Sequence, residues 1–266
     1  MEFFNNLNPI LQALIASCVT WGVTALGALT VCFFKKINQK VLDTLLGFSA
    51  GVMIAASFWS LLAPSIELSK ELGYVEWLLP ALGFLGGGIF VILADLFLDK
   101  MMQKKEKKDK KSNSFKRSIL LVMAVTLHNI PEGMAVGVAF GGVANNIPGA
   151  TLVSAILLAI GIALQNFPEG AAVALPLRRE GYSRKKAFFY GQASGIVEPI
   201  AAVIGVISAV YIRSILPFLL AFSAGAMIGV VSAELIPESI KKSKNFASIG
   251  IMLGFITMMI LDVALG

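Results

Sequence analysis

His128-Asn129-Ile130-Pro131-Glu132-Gly133 recurs 37 residues later as Gln165-Asn166-Phe167-Pro168-Glu169-Gly170, and each copy lies inside a long apolar run. A carboxylate at the centre of a lipid bilayer costs about 2.5–3.5 kcal/mol on insertion scales. The chain accepts that cost twice, each time beside a proline. The pattern therefore predicts that both acids serve a site for a cation.

Composition places the chain in the membrane class. Hydrophobic residues make up 57% of its 266 residues and charged residues only 14%, whereas soluble domains average about 25% charged. A helix needs about 20 apolar residues to cross a bilayer. We find eight such stretches and predict an all-α integral membrane protein with a single transmembrane domain over residues 1–266. The predicted spans are residues 9–34, 41–66, 76–98, 117–141, 148–177, 187–210, 215–238 and 246–265.

The positive charges indicate how these spans are oriented. Of the 22 lysines and arginines, 20 lie in alternate loops, and the densest run is the loop of residues 99–116 between the third and fourth spans. Because basic loops tend to stay in the cytoplasm, the pattern places both termini outside it. The net charge of +6 thus reflects membrane topology, and we expect no nucleic-acid partner.

The chain also contains an inverted repeat. Leu45–Ile54 of the second span aligns without a gap with Leu219–Ile228 of the seventh, and eight of the ten positions are identical. The hexapeptides relate the fourth and fifth spans, and the third and eighth match weakly, each ending near an acid, Asp95 or Asp262. We predict that spans 1–3 and 6–8 are related by a pseudo-two-fold axis in the membrane plane, with spans 4 and 5 symmetric about it. Convergent packing of small residues is the alternative.

Helical geometry gathers the polar residues of each hexapeptide. His128 and Glu132 lie one turn apart on one helix face, and Asn129 lies on the adjoining face within reach of Glu132. The second hexapeptide repeats this arrangement with a glutamine in place of the histidine. Imidazole, amide and carboxylate groups suit Zn²⁺, and Fe²⁺, Mn²⁺ or Cd²⁺ tolerate the same set. The lack of a thiolate argues against Cu(I), and the imidazole argues against Ca²⁺ or Mg²⁺.

Further acids occur on the sixth and seventh spans. Glu198 precedes a proline in the sixth, and Glu234 and Glu238 lie on the seventh. Each intramembrane acid has a structural alternative, in which it pairs with a lysine at a helix end or is protonated within the packing. For Glu132, Glu169 and Glu198 a structural ion pair is hard to build, because no basic residue lies near them in spans 4, 5 or 6.

These motifs resemble those of the ZIP family of metal transporters. The likeness rests on His-Asn-x-Pro-Glu-Gly in the fourth span, Gln-Asn-x-Pro-Glu-Gly in the fifth and Glu-Pro in the sixth. Gln165, in place of a second histidine, resembles the bacterial GufA-like branch of that family. Eight spans with both ends outside match the family layout, so the resemblance covers the whole chain.

The resemblance implies a function and a site. It implies import of Zn²⁺ or a related divalent ion across the cell (inner) membrane, with no cofactor, by a unit of spans 1, 4, 5 and 6 that moves against spans 2, 3, 7 and 8, often within a homodimer. It implies a site that holds two metal ions. The residues that match the ligands of the first position are His128, Glu132, Gln165 and Glu169. Those that match the second are Asn129, Asn166 and Glu198, with Glu132 and Glu169 bridging.

The resemblance also implies accessory positions. Ser57 and Asp95 match positions near the outer entrance, and Glu234 matches an acid that many relatives precede with histidine. The preceding residue here is Ala233, so an accessory ligand is missing from the seventh span.

Three function classes fit these residues. The first is a carrier that works by alternating access, and the second is a selective channel lined by the same ligands. The third is an intramembrane enzyme in which a bound metal activates water. The chain lacks the H-E-x-x-H pairing of zinc proteases and an evident pair of nucleophile and base, so we predict that it is not an enzyme.

Overall fold

Helices form all the regular secondary structure in the described part of the chain. The computed structural model describes residue 4 and residues 6–34, 38–106, 113–145 and 150–265. The α-helices are α1 (Pro9–Phe33), α2 (Gln39–Ala56), α3 (Ala63–Glu71), α4 (Leu78–Glu106), α5 (Asn113–Ala144), α6 (Leu152–Arg179), α7 (Arg184–Ala193), α8 (Val197–Tyr211), α9 (Leu216–Val230) and α10 (Ile236–Ile260). Shorter π-helical turns occupy Ser57–Leu62, Val231–Leu235 and Leu261–Leu265, and a 3₁₀ turn occupies Arg213–Ile215.

Polar residues next to the apolar runs fix where the long helices begin. The side chain of Asn8 accepts hydrogen bonds from the backbone of Ile10 and Leu11, and Pro9 opens α1. Thr151 and Ser154 form a reciprocal capping box at the start of α6. These caps satisfy backbone N–H groups that the first turn of a helix leaves without partners.

Six stretches of the described chain are long and apolar enough to cross a membrane. They are Pro9–Phe33, Gln39–Glu71, Leu78–Phe97, Leu152–Arg178, Arg184–Tyr211 and Arg213–Leu265. The last stretch contains both the seventh and the eighth predicted spans, because α10 begins at Ile236 and continues through a kink at Ser243 (φ −136°, ψ 68°). The fourth predicted span lies within α5.

The loop predicted at residues 99–116 is shorter in the structure. Helix α4 continues to Glu106 and α5 begins at Asn113. Residues 107–112, which include part of the lysine-rich run, lie outside the described residues.

Four predicted spans depart from regular α-helix, one of which is the eighth, which ends in the π-turn Leu261–Leu265. The sixth is broken, because α7 ends at Ala193 and α8 begins only at Val197. The second and seventh each contain a π-helical turn, and each turn begins three residues after the aligned decapeptide ends. A π-turn adds a residue to the helix and is frequent at functional sites.

Glycines bring the helices into close pairs. At several glycines an added Cβ would collide with the backbone of the neighbouring helix, so only glycine fits. These contacts join α5 to α8 (Gly133 with Glu198), α1 to α6 (Gly170 with Thr24), α2 to α10 (Gly51 with Ile251) and α4 to α9 (Gly87 with Phe222). A buried apolar core that includes Met53, Phe140, Leu158, Met227 and Met258 connects α2, α5, α6, α9 and α10.

Candidate metal centre

The structure buries all seven predicted ligands of the two metal positions where α5, α6 and α8 meet. They are His128, Asn129 and Glu132 on α5, Gln165, Asn166 and Glu169 on α6, and Glu198 on α8. His128 and Glu169 are 7% exposed, and the other five expose 1% or less. Charged and amide side chains are rarely buried this deeply unless they are paired.

Most of these residues carry buried atoms that have no hydrogen-bond partner among the described residues. The atoms are Asn129 Oδ1, Glu132 Oε1 and Oε2, Gln165 Oε1 and Nε2, Asn166 Oδ1 and Glu169 Oε1. The Gln165 amide lies beside Glu132, but the two form no hydrogen bond of ordinary geometry. Buried polar groups are almost always paired, so a cluster of unpaired oxygens indicates a binding site for a group that these oxygens can coordinate. A cation fits this set of oxygens.

Glu198 differs from the other two acids because its oxygens are already paired. Its Oε2 accepts hydrogen bonds from Thr20 Oγ1 at 2.5 Å and from Asn166 Nδ2 at 2.9 Å. Its Oε1 accepts from Thr24 Oγ1 at 3.3 Å. Glu198 also lies in the first turn of α8, where the helix dipole favours a negative charge.

The break between α7 and α8 helps to build the site. The side-chain amide of Asn129 donates to the carbonyl oxygen of Ser194 at 2.9 Å, which lies in the break. A Cβ at Gly195 would approach Glu198 Oε1 to 2.9 Å and Thr24 Oγ1 to 3.1 Å. The glycine therefore leaves the space that the Glu198 carboxylate occupies.

One of the two structural alternatives for these acids, an ion pair with lysine or arginine, is not observed among the described residues. Across the described side chains, the ion pairs join Lys70 to Glu76, Arg213 to Glu71, Lys241 to Glu238 and His128 to Glu234. None of them involves Glu132, Glu169 or Glu198. The three carboxylates instead lie close enough to repel one another when ionised, and a divalent cation would relieve that repulsion.

A second group of candidate ligands lies beside the first. Ligand atoms of Asp95 on α4, His128 on α5 and Glu234 in the turn Val231–Leu235 all lie within 4.8 Å of one another. His128 Nε2 is 3.0 Å from Glu234 Oε1. Glu234 is also close enough to Glu169 for their charges to interact, so the two groups are neighbours.

The two residues that the resemblance assigns to the outer entrance lie in different surroundings. Asp95 belongs to the group with His128 and Glu234. Ser57 is buried, and its hydroxyl donates to the carbonyl oxygen of Met53 in its own helix at 2.7 Å.

A cavity of about 520 Å³ reaches this region. Its polar lining includes His128, Glu169, Glu180, Glu234 and Glu238, and the same cavity is lined by Gln39, Lys241 and Lys242. Ala233 also lines it, and a histidine at that position would add a ligand to the wall. The cavity thus connects His128 and Glu169 of the site with residues of the basic loops.

Sequence reasoning did not identify Thr20 and Thr24, which contact Glu198 from α1. A signal was present in the sequence. Ser17, Thr20 and Thr24 are spaced to fall on one face of a helix within an apolar run, and all three are buried. The spacing does not indicate which acid this helix face contacts.

Comparison with known proteins finds one family over nearly the whole chain. The family described as ZIP zinc transporter matches residues 10–116 and 99–262. The chain is 40% identical to zinc transporter ZIP11 of Xenopus tropicalis over 97% of its own length and 98% of that protein. It is 38% identical to zinc transporter ZIPB of Bordetella bronchiseptica (96% and 81%) and 36% identical to zinc transporter GufA of Myxococcus xanthus (95% and 98%).

Proposed function

The chain belongs to the ZIP zinc transporter family, and from that premise we propose that it carries Zn²⁺ across the cell (inner) membrane into the cytoplasm. The family consists of multi-pass membrane proteins that are transporters and not enzymes, so the enzyme alternative falls away. One observation carries the proposal. Seven buried acid and amide atoms of the two hexapeptides have no hydrogen-bond partner among the described residues, and Glu198 adjoins them.

The ion would be held by residues of this chain as substrate. His128, Glu132, Gln165 and Glu169 supply the first position, and Asn129, Asn166 and Glu198 supply the second, with the two hexapeptide glutamates shared. The donor set is nitrogen and oxygen without sulfur, which suits Zn²⁺ and also admits Fe²⁺, Mn²⁺ and Cd²⁺. We also propose that Asp95 and Glu234, together with His128, offer the ion a next set of ligands on the way to the cavity. This places Asp95 on the side of release and not at the outer entrance, the position that the resemblance implies for it.

The proposal includes eight spans in an inverted repeat, with both termini outside the cytoplasm. The matched π-turns in the second and seventh spans support it. So do the close helix pairs. Exchanging spans 2 with 7, 3 with 8 and 4 with 5 turns the α2–α10 pair into the α9–α4 pair, as an inverted repeat requires.

The same pairs support movement by alternating access. Two glycine-mediated pairs, α5–α8 and α1–α6, lie within the predicted moving unit. The other two, α2–α10 and α4–α9, lie within the unit that it moves against. Tight backbone contacts inside each unit favour rigid-body motion between them.

The residues that line the cavity support its opening to the cytoplasmic side of the membrane. Lys241 and Lys242 line the cavity and belong to a loop that the charge pattern assigns to the cytoplasm. This lining supports an inward-facing conformation, with the site open to the side of release. We further propose that the transporter works as a homodimer, with the exposed apolar face of α4 (Leu85, Ile89, Ile92) as a candidate contact.

Uptake of Zn²⁺ by the purified chain in proteoliposomes tests the proposal. A carrier gives uptake that saturates with Zn²⁺ concentration and is lost in Glu169→Ala. Flux that rises linearly with concentration, far above carrier turnover, would favour the channel. Wild-type uptake by Glu169→Ala would show that the site is wrong.

A further inference from the structure

The carboxylate of Glu198 is held by a helix that contributes none of the predicted ligands. Thr20 and Thr24 are one turn apart on α1, and their side chains are 0% and 1% exposed. Both hydroxyls reach Glu198, which is 178 and 174 residues away in sequence. A contact of this kind arises only from the tertiary fold.

The two carboxylate oxygens of Glu198 accept different numbers of hydrogen bonds. A carboxylate oxygen accepts about two hydrogen bonds. Oε2 accepts hydrogen bonds from Thr20 Oγ1 and Asn166 Nδ2, so its capacity to accept hydrogen bonds is filled. Among the described residues, Oε1 accepts a hydrogen bond only from Thr24 Oγ1, in a longer contact of 3.3 Å, and so keeps capacity for another partner.

Each threonine hydroxyl has an alternative acceptor in its own helix, and for Thr20 the contact with the carboxylate is clearly the shorter one. Thr20 Oγ1 is 2.9 Å from the carbonyl oxygen of Ser17, against 2.5 Å to Glu198. Thr24 Oγ1 is 3.4 Å from the carbonyl oxygen of Thr20, against 3.3 Å to Glu198. A hydroxyl bonded to a charged acceptor makes the stronger bond.

The packing of α1 keeps these hydroxyls in place. A Cβ at Gly170 of α6 would collide with the backbone of Thr24, and one at Gly27 of α1 would collide with the backbone of Phe167. The indole of Trp21 donates to the carbonyl oxygen of Gln192 in α7 at 2.8 Å. Helix α1 is thus fixed against both α6 and the broken sixth span.

We infer that Thr20 and Thr24 are positioning residues of the transport site, which hold Glu198 so that Oε1 alone remains for the metal ion. The inference rests on the proposed function and adds to it, because it assigns α1 a part in metal affinity. Partners that orient a ligating carboxylate or imidazole typically change metal affinity about 10–100-fold when they are removed.

The test is equilibrium binding of Cd²⁺ to the purified full chain in detergent, measured by calorimetry. Thr20→Val removes the hydroxyl at nearly constant volume, and we expect the Kd for Cd²⁺ to rise about tenfold or more. Thr20→Ser restores the hydroxyl and should return the Kd to within about twofold of wild type. Thr30→Val is the matched control, because the Thr30 hydroxyl donates to Gly27 in its own helix, and it should leave the Kd unchanged.

A double-mutant cycle separates positioning from a structural role. If Thr20 acts through Glu198, Thr20→Val has no further effect on the Kd in a Glu198→Ala background. A loss that persists in that background, or a Thr20→Val chain that binds Cd²⁺ like wild type, would overturn the inference.

Two further outcomes remain informative. If Thr20→Val does not accumulate as folded protein, Thr24→Val carries the test, with an expected rise of about threefold that disappears in Glu198→Ala. An unchanged Kd in Thr24→Val would then count against the inference. A wild-type chain that binds no Cd²⁺ would overturn the proposed function itself, and that result is distinct from the loss of the threonine effect alone.

Discussion

The two hexapeptides are close copies in sequence, but the fold gives them different surroundings. In the first copy, His128 faces Glu234 and Asp95, and Asn129 bonds to a backbone carbonyl oxygen in the broken sixth span. In the second copy, the amide of Gln165 has no hydrogen-bond partner among the described residues. Asn166 of that copy bonds to the carboxylate of Glu198.

The difference teaches that the repeat sets the residue types of the proposed ligands, whereas the neighbouring helices set the contacts that each residue makes. The two glutamates have similar surroundings, since both are buried and both have oxygens without a partner among the described residues. The first copy connects the site to the group at the cavity, and the second connects it to Glu198 and α1. Experiments that exchange or remove matched residues can therefore separate what the copies share from what they do not.

The largest effect is expected where the copies agree. Glu132→Gln and Glu169→Gln should each lower kcat/KM for Zn²⁺ uptake at least about 100-fold, because each removes a shared anionic ligand from the ion. Proteoliposome uptake measures this. Glu71→Gln, an acid paired with Arg213 outside the site, is the control and should transport normally. Near-normal uptake by either site variant would break the claim that the two glutamates act as equals.

The next effect tests the residue that opens each copy. His128→Gln should raise KM about tenfold or more, because Zn²⁺ loses its imidazole ligand and the link to Glu234 is removed. The double exchange His128→Gln with Gln165→His keeps the composition of the site. We expect it to stay impaired, since only position 128 lies against Asp95 and Glu234. Recovery of wild-type KM in the double exchange would mean that the copies are interchangeable.

The smallest effect concerns the asparagines. Both alanine variants remove a proposed amide ligand, and they differ in the hydrogen bond that is lost with it. Asn166→Ala should raise the Kd for Cd²⁺ about tenfold, because that hydrogen bond goes to a charged group. Asn129→Ala should raise it only about threefold, because its partner is a neutral carbonyl. Calorimetry on the two variants ranks them. The reverse order would show that Asn129 matters more as a direct ligand than Asn166 does as a support.

The sequence predicts the elements of this protein well and their irregularities poorly. The apolar runs and their flanking polar residues locate the long helices, because helix length and caps are local properties. The break at 194–196 and the π-turns are not visible in hydropathy, although Gly195 and Pro199 are consistent with a break in the sixth span. Burial and hydrogen bonding across helices decide where such irregularities occur.

The same division holds for the site. The sequence singles out Glu132, Glu169 and Glu198 by their positions in apolar runs, because it is energetically costly to place an acid inside the membrane. The contacts of Glu198 with Thr20 and Thr24, and of His128 with Asp95 and Glu234, join residues far apart in the chain. The periodicity of one helix does not indicate which other helix packs against it, so these contacts could not be predicted from the sequence.

Anomalous diffraction from crystals soaked in Cd²⁺ tests the central claim most directly. We predict an anomalous peak among α5, α6 and α8, with oxygens of Glu132 and Glu169 as its nearest ligands and His128 and Gln165 beside them. A chain that transports Zn²⁺ in proteoliposomes but shows no peak there, with those carboxylates paired to lysine or arginine instead, would contradict it.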